Sequence, residues 1–339
     1  MSEVADKAFW EEKNVAFSKA TPACDMLHPE LVKPELGASL TETQYLGFNV
    51  PEANVHGLCY IWHHPNLKVV TGGAFAWQGI KKHNFECELF DFVTYMKDDC
   101  LKNDLWDYKL ENSYHVTTIE PLKKHRIRYD DPHRKNSIDI TLEAIMPPMV
   151  LSSGMHLEQA MKTSGQVTLR GKSYPVNGFT VRDRSWGQKR SEAHTFCPPL
   201  AWMTGIVDES FIFGCTAFDT PELTPDNYPG LAVPGGHNVM GGWVYQSGQL
   251  VPIVKARKVT RRNQHTQFPE FIDMELVDSS GKTYAIQGTI TAAANWRTWH
   301  NFDSIICLTR WEYNGKVFYG DTQECHWSEF ERLARAKAN

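Results

Sequence analysis

Apolar and polar positions alternate along much of this chain. Ile138, Ile140, Leu142, Ala144 and Met146 fall on one side of an extended backbone, with Asp139, Thr141 and Glu143 on the other. That period of two is what a half-buried strand imposes. Phe85, Cys87, Leu89, Asp91, Val93 and Tyr95 make a second such set, and Phe211, Phe213, Cys215 and Ala217 a third. Turn chemistry separates the runs. Asn314-Gly315, between Trp311 and Phe318, tolerates the paired positive φ of a type I′ hairpin. Asp278-Ser279-Ser280-Gly281, Gln246-Ser247-Gly248-Gln249 and Arg170-Gly171-Lys172 read as further turns. Helical periodicity is confined to 7–19 and 328–337, with a weaker candidate at 156–162. Many short strands punctuated by turns predict an all-β protein of sandwich or barrel type.

A length of 339 residues suits two domains. Met146-Pro147-Pro148-Met149 breaks the strand ending at Met146, and Leu151-Ser152-Ser153-Gly154 prolongs the break. The junction is therefore expected near 147–165, dividing the chain into β domains 1–155 and 156–339. The Pro- and Gly-rich stretch from Pro221 to Gly236 reads as a long lid or binding loop.

Charge narrows the function. Lys+Arg 35 against Asp+Glu 40 leaves a net charge of −5, which argues against a nucleic-acid partner. The excess is aromatic, with 11 Trp, 12 Tyr and 17 Phe, and such rings fill cores or line pockets for apolar ligands. No stretch approaches the ~18 apolar residues of a membrane span. The first residues lack the basic start and apolar run of a secretory signal. Eight scattered cysteines with no C-x-x-C pair fit reduced, buried thiols, so a cytoplasmic protein is expected. The phosphate-loop, dinucleotide, nucleophile-elbow and H-E-x-x-H motifs are all absent. His63-His64, His156-Leu157-Glu158 and Cys325-His326 give no set of three convergent ligands, so no metal is expected.

The densest chemistry lies in Gly178-Phe179-Thr180-Val181-Arg182-Asp183-Arg184-Ser185-Trp186-Gly187-Gln188-Lys189-Arg190. As a strand it sends Arg182, Arg184 and Trp186 one way and Val181, Asp183 and Ser185 the other. Arginines across the pleat can pair with other acids and leave Asp183 to act as a proton donor in an apolar setting. The same residues equally suit an Arg–Asp cluster that holds structure together. Tyr60, Trp62, Trp77, Trp186, Trp296, Trp299 and His300 are candidate pocket residues, each of which serves as well in a core. Glu42, Asp91 and Asp321 are reserve acids.

At these residues the chain resembles a known superfamily. Ser164-Gly165-Gln166-Val167 with the Arg182-Asp183-Arg184-Ser185-Trp186-Gly187 run is similar to the R-D-x-S-W-G region of the lipocalin-like carotenoid 1,2-hydratase (hydroxyneurosporene synthase) and AttH-like superfamily. Phe48 to Glu52, Tyr60-Ile61-Trp62, Pro65-Asn66-Leu67, Gly72-Gly73 and His156-Leu157-Glu158-Gln159 look like a two-domain branch of it. The resemblance implies two consecutive lipocalin-like β-barrel or curved-sheet domains with an apolar ligand site near their interface. It implies no cofactor. In the hydratases an acid protonates an unactivated C=C bond and water traps the cation; Asp183 takes that role by the motif, with Arg182 and Ser185 flanking it. The expected function is a cofactor-independent lyase or isomerase acting on a terpenoid, steroid or aromatic molecule by hydration, dehydration or rearrangement. A pericyclic or cyclisation catalyst and a non-enzymatic lipophilic-ligand carrier are the alternatives. The expected partner is a hydrophobic small molecule, with no integral membrane segment and a homodimer left open.

Overall fold

The computed structural model describes residues 17–151, 153–189, 196–223, 231–233, 238–299 and 301–338, and side chains within them except at 298–299 and 337–338. The strands are β1 (Leu40–Val50), β2 (Val55–His64), β3 (Val69–Gln78), β4 (Ile80–Lys81), β5 (Leu89–Lys97), β6 (Asp107–Lys109), β7 (His115–Glu120), β8 (Lys124–Asp131), β9 (Asn136–Ala144), β10 (Met149–Val150), β11 (His156–Leu169) and β12 (Lys172–Lys189). They continue as β13 (Leu200–Asp208), β14 (Phe211–Phe218), β15 (Val239–Gln246), β16 (Gln249–Arg262), β17 (Pro269–Asp278), β18 (Thr283–Trp299), β19 (Phe302–Tyr313) and β20 (Lys316–Trp327), followed by helix α1 (Ser328–Ala338). The architecture is all-β, as the alternation predicts. In β9, Ile138, Ile140 and Leu142 are buried while Asp139 is exposed. The Asn314-Gly315 turn joins β19 to β20 with φ of 49° and 72°, both positive as a type I′ turn requires.

Among the described residues the strands form two sheets. The first runs β5-β3-β2-β1-β12-β11-β9-β8-β7-β6, with β10 on β11, and is open. The second runs β17-β16-β15-β14-β13-β20-β19-β18 and closes into an eight-stranded barrel because β17 also pairs with β18. Each sheet wraps its own apolar core. Leu46, Phe48, Cys59, Ile61, Ile127, Ile140 and Val167 contribute to the first core, and Met203, Phe213, Met274, Ile286 and Trp311 to the second.

Four expectations need correcting or setting aside. The helix candidate at 156–162 is the start of β11, because its side chains alternate between the two faces of the first sheet. The change of unit falls near residue 191 rather than between 147 and 165. Compact units comprise Phe17–Gly79 with Asn84–Ser191, and Ile80–His83 with Glu192–Asn339. Pro147 and Pro148 end β9, but the chain returns to the same sheet: β11 pairs with β9 from Met161↔Ala144 to Thr168↔Ser137. Residues 80–83 make the other crossing, adding β4 parallel to β18 through Ala293↔Ile80. Residues 7–16 of the 7–19 helix candidate and most of the Pro221–Gly236 loop lie outside the described residues, and 17–19 are not helical, Ser18 bridging to Val150. Seven of the eight cysteines are buried and Cys100 is half-buried.

Candidate functional site

Strand β12 lies between β1 and β11 in the first sheet, so its alternation assigns each motif residue to a face. Arg184 is opposite Gln44 of β1, and Arg182 opposite Gln159 of β11. That face carries the apolar core. Both arginines are buried there and both find acids. Arg182 donates to Asp25 Oδ1 at 2.6 Å and, from Nε and a terminal nitrogen, to Gln159 Oε1 at 3.0 and 2.8 Å. Arg184 donates to Glu42 Oε2 at 3.2 Å and to the Met26 carbonyl at 2.7 Å.

Burial works against the charge of Asp25. The Arg182 guanidinium, His125, and N–H donation from Arg182 and Leu122 outweigh it and hold the carboxyl down at about 2. His125, 3.7 Å from Asp25, is pushed down to about 3, first by burial and then by the arginine charge. Glu42 is held below the usual carboxylate range despite its burial, by hydrogen bonds from His28 and by the Arg184 charge. Trp186 closes this end by stacking on His28 at 4.6 Å. Gly187 follows at φ 62°, and a Cβ there would come within 3.0 Å of Leu31 and 3.1 Å of Met155. The positive φ is what favours glycine at the end of the motif, and a side chain there would also press on Leu31 and Met155.

The reverse face holds the other half of the motif. Asp183 is half-buried and lies opposite Tyr45 of β1 on one side and Glu158 of β11 on the other. Tyr60 of β2 lies opposite Tyr45, extending the row. One step along, Trp62, Thr43, Ser185 and His156 form a parallel row. Neighbours in such rows have Cβ atoms roughly 4.5–5.5 Å apart. Tyr60 and Trp62 meet edge to face at 6.1 Å. One hydrogen bond runs within the second row, His156 Nδ1 to Ser185 Oγ at 2.8 Å, and one links the rows, His156 Nε2 to Glu158 Oε1 at 3.1 Å. Thr43, Tyr45, Trp62, Glu158 and Ser185 are all buried.

Asp183, Ser185, Tyr60 and Trp62 therefore share one face; Trp77 lies on the same face farther from the motif, and the remaining sequence candidates do not join them there. Arg182 and Trp186 are on the core face, so Arg182, expected beside Asp183 as a catalytic group, is instead the partner of Asp25. Trp77 is fully buried on the reverse face of β3, 4.4 Å from Phe75 and edge-on to His56. Trp296 is buried on β18 of the other unit. Trp299 ends that strand without a described side chain, and His300 lies outside the described residues. Of the reserve acids, Glu42 is committed to Arg184. Asp91 accepts from Tyr129 at 2.7 Å and from Arg134 at 2.8 Å. Asp321 is buried on β20 of the other unit.

Sequence reasoning missed His156 and Glu158 as companions of Asp183 and Ser185, although the signal was present. The Arg170-Gly171 turn joins β11 to β12 without a bulge, from Leu169↔Lys172 to His156↔Ser185. Counting outward equally from that turn places His156 opposite Ser185 and Glu158 opposite Asp183.

The barrel has its own buried charges. Lys258 pairs with Asp219 and, at 3.5 Å, with Glu324. Arg262 reaches Asp219 at 2.7 Å and also binds Glu324. His326 lies 3.6 Å from Glu324 and 2.6 Å from Glu331 of α1. Beside it is a cavity of about 210 Å³ lined by Arg297, Phe302, Asp303, His326, Ser328, Glu331, Arg332 and Arg335. Arg297 binds Asp303 at 2.8 Å, and Glu331 takes both His326 and Arg335. Of these pairs His326–Glu331 ties α1 to the barrel. Among the described residues no group of three His, Cys, Asp or Glu side chains is arranged to hold a metal ion.

Two lipocalin-like β units, one an open curled sheet and one a closed barrel, define the class of fold. The chain belongs to the family described as "Domain of unknown function (DUF7064)", whose model matches residues 27–329. Its fold is similar to the crystal structure of "a putative AttH (NE1406)" from Nitrosomonas europaea, with TM-score 0.60 and 12% identity over 91% of this chain and 98% of that one. It is also similar to kievitone hydratase from Nectria haematococca, with TM-score 0.52 and 11% identity over 93% and 97% of the two chains. A third likeness is to CghA with Sch210972, with TM-score 0.53 and 10% identity over 93% and 96%. Identities this low report fold alone. No curated protein matches the chain.

Proposed function

We propose that this protein catalyses acid-assisted hydration, dehydration or rearrangement of a hydrophobic small molecule, with Asp183 as the proton donor. The observation that carries the reading is the reverse face of β12, where Asp183 stands beside Glu158 and in one row with Tyr45 and Tyr60. Asp183 and Glu158 face each other across β12 and β11, so the face carries a pair of carboxyls, the residue type that acid–base chemistry uses. The rings of Tyr60 and Trp62 offer π-faces to a developing cation. Arg182 and Arg184, which would hold Asp183 ionised, are turned to the other face and satisfied by Asp25 and Glu42. One protein of this fold is named a hydratase and another was solved with a small molecule, Sch210972, which accords with the reading.

The test is Asp183→Asn, assayed in D₂O against a panel of terpenoid and steroid alkenes and the matching tertiary alcohols. The wild-type protein is expected to place deuterium on carbon. The variant should lose about 10²–10⁴-fold in turnover, the worth of a positioned acid, with its melting temperature nearly unchanged. Full turnover in a stable variant rejects the assignment. A loss of roughly 3–5 kcal/mol in stability assigns Asp183 to a structural ion pair instead.

A further inference from the structure

We infer that Ser185, His156 and Glu158 form a proton relay that serves the water, while Asp183 serves the carbon. This deepens the reading above and rests on it. Glu158 as a carboxylate can only accept, so it selects the tautomer of His156 that carries its proton on Nε2, 3.1 Å away. Nδ1 is then a bare lone pair, and the hydroxyl of Ser185, 2.8 Å away, donates to it. Ser185 Oγ keeps lone pairs for an incoming O–H. Thr43 supplies an independent observation. It lies directly opposite Ser185, only 2% exposed, and its Oγ1 has no hydrogen-bond partner among the described residues. A buried hydroxyl without a partner is costly, and a water or substrate oxygen between Thr43 and Ser185 satisfies it. Asp183 is two residues from Ser185 on the same face, roughly 6.6 Å along the strand, so proton donor and water site flank one substrate position.

The step balances. The Asp183 O–H bond breaks as the alkene π pair forms a C–H bond, leaving a cation on the second carbon. A water lone pair forms the C–O bond. The water proton passes to Ser185 Oγ as the Ser185 proton passes to His156 Nδ1, and Glu158 stabilises the imidazolium. His156 then releases its proton to solvent and Asp183 takes one up, so the net change is addition of one water with no redox partner. Dehydration runs the same transfers in reverse.

Two experiments test the relay. Ring ¹⁵N spectra of the wild-type protein at neutral pH need no substrate. The relay requires a protonated Nε2 and a bare Nδ1 on His156, with the Nδ1 resonance moving in Ser185→Ala; a protonated Nδ1 overturns it, because Ser185 could then only accept. The second experiment uses the same alkene panel in D₂O with His156→Gln and Ser185→Ala. Each variant should form alcohol about 10²-fold more slowly, the double variant should be no worse than the worse single, and deuterium exchange at carbon should persist because Asp183 still protonates. Loss of exchange in step with alcohol formation, or unchanged alcohol formation in both variants, overturns the relay. Asp183→Asn separates the two readings: it abolishes carbon exchange if the acid assignment is right, whatever His156 does.

Discussion

Two buried histidines beside ion pairs shift in opposite directions, His125 of the first unit towards the neutral form and His326 of the second towards the charged form. His125 sits 3.7 Å from Asp25, but the nearest strong charge on that carboxylate is Arg182, and burial together with the guanidinium pushes the imidazole down to about 3. Burial is as complete at His326. There the ring is hydrogen-bonded to Glu331 at 2.6 Å and lies 3.6 Å from Glu324, and the two carboxylates outweigh desolvation and raise it above its ordinary value. Burial depth is the same; the neighbours decide. The acids differ in redundancy too. Asp25 has Arg182 as its charged partner, whereas Asp219 and Glu324 are each bound by both Lys258 and Arg262.

That redundancy predicts the largest effects. Arg182→Met strands Asp25 inside the first sheet and should cost roughly 3–5 kcal/mol, because an uncompensated buried charge remains. Lys258→Met leaves Arg262 on both barrel acids and should cost visibly less, about 1–3 kcal/mol. Denaturant midpoints of the two variants compare them directly. Equal losses would mean that pairing redundancy does not distinguish the units.

Smaller effects follow from the two histidines, with opposite signs. His125 has a folded value below its unfolded 6.5, so the unfolded chain binds the extra proton between about pH 6.5 and 3. The first unit therefore loses stability as pH falls through that window, and Asp25 adds to the loss from 3.8 down to about 2. His326 is raised, so its contribution is complete below pH 6.5 and is lost as pH rises through its folded value. Amide hydrogen exchange, followed in β8 and β20 from pH 5 to 9 and corrected for intrinsic rates, should show β20 alone loosening on the alkaline side. Parallel loosening of β8 there would remove the contrast.

Much of the fold was readable from local signals, and what was hidden is long-range. The period of two in β9 and the Asn314-Gly315 turn are local and decided strand and hairpin. The Pro147-Pro148 break is also local, and it misled: two prolines end a strand whether or not a domain ends, and only the pairing of β11 with β9 shows that the sheet continues. The alternation of Arg182, Asp183, Arg184 and Ser185 was legible because it needs only a strand. The partner of Arg182 was not, since Asp25 lies 157 residues away and joins it only once the first sheet has curled. The Glu158 neighbour of Asp183 lay between these extremes, accessible through the Arg170-Gly171 turn but only if the hairpin carries no bulge.

The smallest expected effect isolates what burial contributes. Each unit has an exposed arginine–aspartate pair placed diagonally across two strands: Arg126–Asp139 on β8 and β9, and Arg257–Asp273 on β16 and β17, both closing at 2.7 Å. Their side chains are between 35% and 55% exposed, where Arg182 and Asp25 are at 0%. Water screens such pairs, and holding two long side chains in register costs entropy, so Asp139→Asn and Asp273→Asn should each shift stability by about 0.2–1 kcal/mol. The two shifts should match within error and shrink in 1 M salt, where screening acts over roughly 3 Å. Arg182→Met should keep its large cost in the same salt, because its partner is sealed from the ions. If the exposed pairs instead cost as much as Arg182→Met, charge pairing itself rather than desolvation would set the scale, and the contrast between the two buried clusters would have to be re-derived from geometry alone.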